Sequence, residues 1–367
     1  MKRVMIVMGT RPEALKLCPV VLEMKRRENL AVAVCSTGQH RDMLESTMRV
    51  FSVRPDSDLD VMRTGQSTAG VTARILDRVD EVLEADRPDL VLVQGDSATA
   101  FASALAAFHR GVPVGHVEAG LRTYQLRSPF PEEFHREAIS MLADFHFAPT
   151  LTAKTNLIRE GKPEKSVFLT GSTVVDALRF TLRQTKATPG WGFPAGARIL
   201  LFTAHRKESF GEPLRGMFRA LRRIVEAHPD VVAVCPLHHH PEVRRTAAEV
   251  LEGCERIRVV EPPEIVSFHR LLAGSYLVLT DSGGIQEETT ALGIPTLVMR
   301  YSTERSEGIR AGCLRLCGSG EHGIVQATGR LLEPDSAEYA AMRRPSRVFG
   351  DGRASVRIVN LLEHLLK

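Results

Sequence analysis

Three carboxylates and a histidine follow short apolar runs or open an amphipathic one, where an acid or base could work. Asp96 follows Leu90–Gln94, Glu118 follows Val114–Val117, Glu132 comes after Pro131, and His205 follows Ile199–Thr203. In open α/β sheets, ligands bind beyond the carboxyl ends of the strands, so residues at those ends are candidates for chemistry. Asp96, in Gly95-Asp96-Ser97, also has the residue type of a helix N-cap. Glu118, in Gly115-His116-Val117-Glu118-Ala119-Gly120-Leu121-Arg122-Thr123, emerges from a buried strand, a costly place for a charge without a purpose. Glu132 and Arg136 are four apart and share a helix face, as a surface i,i+4 ion pair would. Carboxylates facing a histidine, with nothing redox-active beside them, suit acid-base work on a neutral sugar.

A second constellation is Tyr276-Leu-Val-Leu-Thr280-Asp281-Ser282-Gly283-Gly284-Ile285-Gln286-Glu287-Glu288. An apolar strand runs into the N-terminus of a helix, and two glycines let a ligand approach the bare backbone. Unpaired amides and the helix dipole favour phosphate there. Glu287 and Glu288, one turn further on, suit a ribose, whose two hydroxyls can donate to one carboxylate. A strand-to-helix turn with a serine cap uses the same residues. Other cations stand at strand ends: Arg11 and Lys16 near Pro12, which fits a first helical turn, and Arg206 and Lys207 beside His205. A protonated His205 needs an anion there, and a bound diphosphate would be one. His238-His239-His240-Pro241 looks like a metal site, but adjacent loop histidines rarely converge on one ion, and no metal is expected. There is no Gly-x-Gly-x-x-Gly at the first turn and no Walker lysine, which disfavours a dehydrogenase or a kinase; no cofactor is expected.

These residues need a scaffold. At 367 residues the chain is long enough for two domains, each with its own core. The runs Val4–Met8, Val32–Ser36, Leu90–Gln94, Val114–Val117, Phe145–Ala148 and Val167–Thr170 read as strands. So do Ile199–Thr203, Val231–Cys235, Ile257–Val260, Leu277–Thr280 and Thr296–Met299. They are continuous rather than alternating, as for strands covered on both faces by helices. Amphipathic segments such as Glu13–Lys25, Ala69–Glu84, Ala98–Phe108, Glu132–Leu142, Glu212–Glu226 and Ile285–Leu292 lie between them. The expected fold class is therefore α/β: two doubly wound, Rossmann-like domains with parallel sheets facing a central cleft. The Gly- and Pro-rich stretch within Leu182–Ala197 breaks the series. The domains are placed at 1–171 and 172–353, with 354–367 a helix crossing back to the first domain.

A net charge of +4 suits an anionic small substrate without demanding nucleic acid, and 5% aromatics leaves little base-stacking surface. No stretch approaches a membrane span. The apolar run after Met1-Lys2-Arg3 ends at Gly9-Thr10-Arg11-Pro12, too short for a signal peptide. Cys18, Cys35 and Cys235 read as core thiols, and Cys313 and Cys317 lack Cys-x-x-Cys spacing, a pattern that fits a reducing cytoplasm.

The motifs Gly9-Thr10-Arg11-Pro12-Glu13, Gly38-Gln39-His40-Arg41, Gly95-Asp96, His116 through Thr123, Pro131-Glu132-Glu133, Gly171, His205-Arg206 and Thr280 through Glu288 occur in order. With them, the chain resembles the bacterial non-hydrolysing UDP-N-acetylglucosamine 2-epimerases from end to end. The resemblance implies a glycosyltransferase-B-like fold and a homodimer. It implies reversible epimerisation at carbon 2 of UDP-N-acetylglucosamine to UDP-N-acetylmannosamine, without metal or nicotinamide. UDP is eliminated to leave an enzyme-bound 2-acetamidoglucal and then added back.

By matching positions, Asp96, Glu118 and Glu132 carry the acid-base work and His205 assists at the phosphate. Arg11, Lys16, Arg136, His238, Phe268, Ser282, Gly283, Gly284, Glu288 and Arg305 match substrate-binding positions. Gln39, His40 and Gln66 match the region where some members bind a second, activating UDP-N-acetylglucosamine, although Gly65 stands where some of those carry Arg. The chain also departs at Arg305-Ser306-Glu307, at His135 where Asn is usual, at His238-His239-His240-Pro241 and at Pro263. These surround the sugar and base sites and leave open a related UDP-diacetamido sugar. The other readings are a hydrolysing 2-epimerase releasing N-acetylmannosamine and UDP, a glycosyltransferase, and a silent nucleotide-sugar-binding regulator.

Overall fold

The computed structural model describes residues 1–63, 65–184, 192–194 and 196–367. The chain divides into two compact units, Met1–Phe180 with Gly350–Lys367, and Thr181–Phe349. The first division falls inside a helix, beyond Gly171. Of the Gly- and Pro-rich stretch expected between the domains, residues 185–191 and 195 lie outside the described residues.

The first unit alternates strands and helices: β1 Lys2–Met8, α1 Arg11–Met24, β2 Leu30–Ser36, α2 Arg41–Val50, β3 Ser57–Asp58, α3 Thr68–Asp86, β4 Leu90–Gln94 and α4 Ala98–His109. It continues with β5 Val114–Val117, α5 Glu132–Leu142, β6 Phe145–Ala148, α6 Leu151–Arg159, β7 Val167–Leu169 and α7 Thr173–Leu182, which extends just past the division. The sheet is parallel in the order β3-β2-β1-β4-β5-β6-β7. The register Val4↔Leu90 to Ile6↔Leu92 joins β1 to β4. Strand order reverses between them, so their carboxyl ends form the switch point at which open sheets take ligands. β4 is buried along its whole length, which explains its unbroken apolar run.

The second unit holds β8 Arg198–Thr203, α8 Glu212–Ala227, β9 Val231–Pro236, α9 Pro241–Leu251, β10 Ile257–Val260, α10 Ile265–Ala273, β11 Leu277–Thr280 and α11 Gly283–Leu292. It ends with β12 Thr296–Val298, α12 Ser306–Arg310, β13 Leu314–Leu316, α13 Glu321–Leu332 and α14 Ala337–Met342. Its parallel sheet has the order β10-β9-β8-β11-β12-β13, with a switch point between β8 and β11. The core of this unit centres on Phe202, Phe218, Leu221, Leu279 and Leu331. Both units are thus doubly wound and Rossmann-like.

The last helix, α15 Ala354–Leu365, belongs to the first unit. The Asp176 carboxylate accepts the N–H groups of Ala354 at 3.1 Å and Ser355 at 2.9 Å, satisfying orphan donors at that helix start. Arg27 Nη2 donates to Asn360 Oδ1 at 2.8 Å, tying α15 to the end of α1.

Candidate functional site

In the first unit, Thr10 caps α1 and Glu13 completes a capping box. Glu13 also accepts the Ser97 hydroxyl at 2.5 Å and the Gly9 N–H at 2.8 Å, so one carboxylate links the ends of β1 and β4. Burial raises its pKa despite these donors. Arg11 opens α1 beside this junction, half-buried.

Asp96 is not the cap of α4. Ser97 is, accepting the Ala100 N–H at 3.0 Å. The two side chains suit the cap position equally by type, and the chain uses the second. Asp96 instead pairs with Arg136, and its backbone carbonyl accepts from His135 Nδ1 at 2.9 Å. The His135 ring stacks on Phe101 with centroids 5.0 Å apart and planes at 8°. Arg136 is accordingly no exposed partner of Glu132 on a solvated face. It is buried, between Asp96 and Glu133. Glu132 is half-buried at the first position of α5, beyond Pro131.

Glu118 leaves β5 with φ at +67°, a left-handed conformation that costs a non-glycine residue about 1–3 kcal/mol. Its carboxylate pairs with Lys16, and both side chains are under 10% exposed. The loop is held close to α6 by Gly120, where a Cβ would lie 2.2 Å from the Ala153 carbonyl oxygen. Inside the sheet, burial pushes the pKa of His116 down to about 3. It is therefore neutral at ordinary pH, and its Nε2–H donates to the Gly95 carbonyl at 2.8 Å, bracing the turn that presents Asp96.

The residues expected near an activator site lie around the loop after β2. Thr99 donates to Gln39 Oε1 at 2.8 Å, the His40 N–H bonds the Gly9 carbonyl at 2.7 Å, and Gln66 Nε2 donates to Val61 at 3.1 Å.

In the second unit, Asp281 is fully buried after β11. Its Oδ2 accepts the N–H groups of His205 and Arg206, each at 2.9 Å, and its Oδ1 lies 3.2 Å from His205 Nδ1. An anion beside His205 is thus present in the protein itself. The His205 ring stacks on the exposed His238 ring at 5.4 Å. His238 and His239 are tilted by 51° with centroids 6.5 Å apart, and His240 packs on Phe210 at 4.4 Å. Among the described residues, no three His, Cys, Asp or Glu side chains are placed to share a metal ion.

Ser282 stands at the N-cap of α11 in extended backbone, and its side chain makes no capping hydrogen bond. The first amides of α11 therefore lack the usual side-chain acceptor. A Cβ on Gly284 would meet nothing within 4 Å, so this side of the helix start is open. A Cβ on Gly283 would lie 2.7 Å from Arg305 Cζ. Arg305 cannot easily yield, because Nε donates to Glu287 at 2.9 Å and Nη1 to Glu304. Gly283→Ala is therefore expected to lower stability by about 1–3 kcal/mol in a thermal or urea melt.

Glu304 is the hub of this corner. Its nearly fully buried carboxylate is shared by Arg305, Arg300 at 3.2 Å and Arg206 at 3.8 Å. Burial depresses the Arg300 guanidinium, and its cationic neighbours add to this against Glu304. Sequence reasoning missed Glu304 and Arg300, although the position of Arg300 just beyond β12 was a usable signal, and Glu287, grouped with Glu288 as suited to a ribose, is paired with Arg305.

Glu288, read as a ribose contact, is buried against His269 Nε2 at 3.2 Å. With Nε2–H donated to Glu288, His269 Nδ1 accepts the Thr181 hydroxyl at 2.6 Å. Phe268, beside it, packs half-buried on the cluster around Leu271, Leu272 and Ile285.

Comparison with known proteins shows the family. A family model described as UDP-N-acetylglucosamine 2-epimerase matches residues 22–363. The UDP-N-acetylglucosamine 2-epimerase of Bacillus subtilis (strain 168) is 46% identical over 98% of this chain and 94% of its own length. The crystal structure of the Neisseria meningitidis enzyme bound to UDP-GlcNAc is 40% identical and superposes with a TM-score of 0.96, covering 99% of this chain and 100% of that one. A glycotransferase of kitacinnamycin, 15% identical over 100% of this chain and 99% of its own, shares the fold alone at a TM-score of 0.65, in keeping with a glycosyltransferase-B-like class. The chain belongs to the UDP-N-acetylglucosamine 2-epimerase family.

Proposed function

We propose that this protein interconverts UDP-N-acetylglucosamine and UDP-N-acetylmannosamine by eliminating and re-adding UDP through an enzyme-held 2-acetamidoglucal, without releasing free sugar. The observation that carries this reading is the pair of carboxylates after β4 and β5, each held by a buried cation, Asp96 by Arg136 and Glu118 by Lys16, with Glu132 opening α5, the helix that carries Arg136. The proton on carbon 2 of the sugar is weakly acidic, so its removal needs a positioned base acting together with a stabilised leaving group. In this reading the first unit supplies the acids and bases.

The second unit supplies the grip on UDP. Ser282, Gly283 and Gly284 offer amides at a helix start to the diphosphate, and Arg206, Arg300 and Arg305 add positive charge. His205, oriented by Asp281, faces the developing charge on UDP as a proton donor. Glu288 and Phe268 are assigned to the nucleoside, Arg11 to the nucleotide-sugar and His238 to the substrate beside His205. Gly284→Ala tests the grip. The added methyl meets no protein atom, so the melting temperature is expected to hold, while UDP affinity measured by calorimetry falls by about 10-fold or more through lost amide contacts. Unchanged affinity would remove this helix start from the site.

A homodimer and an activating second UDP-N-acetylglucosamine complete the reading. Phe108, Phe134 and Met141, exposed on α4 and α5, provide apolar surface for the first. Gln66 Oε1, buried with no hydrogen-bond partner among the described residues, supports the second.

The deciding experiment follows UDP-N-acetylglucosamine by NMR in deuterated water. Deuterium at carbon 2 of both epimers, with UDP still attached, is expected. Accumulation of free N-acetylmannosamine and UDP would instead assign the hydrolysing reaction. Absence of both exchange and turnover would sink the enzymatic reading for this sugar.

A further inference from the structure

We infer that Glu133 is a positioning residue that sets both the geometry and the charge balance of the carboxylate cluster, an inference that rests on the acid-base reading above. Glu133 is fully buried in the first turn of α5. Its Oε1 accepts the N–H of Thr123 at 2.7 Å and of Tyr124 at 2.8 Å. Tyr124 adopts φ of +58°, which brings the two successive amides onto one oxygen. Those amides belong to the loop that leaves β5 at Glu118. The same side chain approaches Arg136 Nη1 at 3.4 Å, and Arg136 in turn grips the Asp96 carboxylate. Glu132 is its chain neighbour. One carboxylate therefore connects all three candidate acids and bases: Glu118 through the loop, Glu132 through the helix start, Asp96 through Arg136.

The residue type matters as much as the place. A peg for two amides needs only an acceptor oxygen, which glutamine also has. A buried carboxylate carries a desolvation cost of several kcal/mol that is offset only by close partners. What the charge adds is division of Arg136 between two anions. A second carboxylate on Arg136 leaves less of the guanidinium's charge to Asp96. The groups tied to Asp96 or to its turn are Arg136 and, through it, Glu133; His135, on the Asp96 carbonyl; His116, on the Gly95 carbonyl; Glu13, through Ser97; and Glu118, 3.8 Å from where a Gly95 Cβ would stand, with its partner Lys16. Of these, Glu133 is the one whose charge reaches Asp96 through a shared guanidinium.

Glu133→Gln tests this, because it keeps the amide acceptor and removes the charge. The Asp96 titration is followed by NMR of protein carrying 13C-labelled aspartate, with the resonance assigned from Asp96→Asn. Its midpoint is expected to move to lower pH by roughly half a unit or more. The Asp96-dependent limb of the kcat/KM profile should move with it, and kcat should fall more than KM changes, by about 10-fold or more. Glu133→Ala, which also frees the loop, should lose on the order of 10²-fold in kcat. If that variant does not fold, Glu133→Gln alone decides. An Asp96 midpoint identical in wild type and Glu133→Gln overturns the inference, as does wild-type kcat in Glu133→Gln. The NMR titration needs no turnover. A wild-type protein that fails to exchange carbon 2 would therefore overturn the epimerase reading while the hold of Glu133 on Asp96 is still measured.

Discussion

Glu118→Gln is expected to bind UDP-sugar largely as wild type does but to turn over at least ~10²-fold more slowly. Glu118 combines three features seldom found together in a side chain with only a packing role. It emerges from a strand buried at all four positions, it holds a left-handed backbone, and its carboxylate is buried against Lys16. Backbone strain and a buried charge each oppose folding, and both persist at sites where geometry is needed for chemistry. Glutamine preserves volume and can still accept a hydrogen bond from Lys16, so the loop should stay in place. What disappears is the ability to take and return a proton. Deuterium incorporation at carbon 2 reads that step directly, and calorimetric titration with UDP reads binding apart from it. Normal exchange in the variant would take Glu118 out of the mechanism. A variant that has lost UDP binding as well would assign it to holding the substrate.

The scaffold was largely legible in the sequence because parallel strands covered on both faces read as unbroken apolar runs. Leu90–Gln94, Val114–Val117, Phe145–Ala148, Ile257–Val260 and Leu277–Thr280 have the same limits in the sequence reading and in the structure. The strands that escaped carry no such signal. β3 is only Ser57–Asp58, held to β2 by side-chain bonds such as Ser36 Oγ to Asp58 at 3.2 Å. β13 spans three residues with one of them charged, Arg315. Short edge strands owe their pairing to the neighbour rather than to their own composition.

The candidate site divides in the same way. Asp96, Glu118 and His205 could be read because they stand where apolar runs end. Their wiring could not, since it depends on which distant groups the sheets bring together. Ser97, not Asp96, takes the cap, a choice between neighbours that local propensity does not separate. Arg136 looked like half of a surface pair at helical spacing and is instead gripped by Asp96, forty residues away in the chain. Asp281 was visible only as the start of a loop motif. Its partners, His205 and Arg206, come from the segment just beyond the neighbouring strand β8, and the β8–β11 register, Thr280 opposite Thr203, makes that contact.

Asp281→Ala is expected to destabilise the second unit by about 1–3 kcal/mol, the cost of leaving backbone donors without their acceptor, since the His205 ring is exposed enough to be solvated. Two backbone donors, of His205 and Arg206, would lose their acceptor, and the His205 ring its carboxylate. The pH dependence follows from the direction of the Asp281 shift. Burial by itself would raise its pKa, but the His205 charge and the N–H donors together outweigh burial and hold the carboxyl below its ordinary value. A depressed folded-state pKa contributes stability that is fully present above the unfolded value of about 3.9 and is lost as pH falls through the folded value. Thermal melts of wild type and Asp281→Ala should therefore differ most at neutral pH, and the gap should narrow as the solution is acidified below about pH 4. Asp281→Asn, which keeps one acceptor oxygen, should lie between them. The same variants should weaken UDP binding, because the backbone of His205 and Arg206 is oriented by the lost carboxylate before any ligand arrives. Melting curves of Asp281→Ala and wild type that coincide at pH 7 would show that Asp281 bears no such burden, and the orientation of His205 would then need another source.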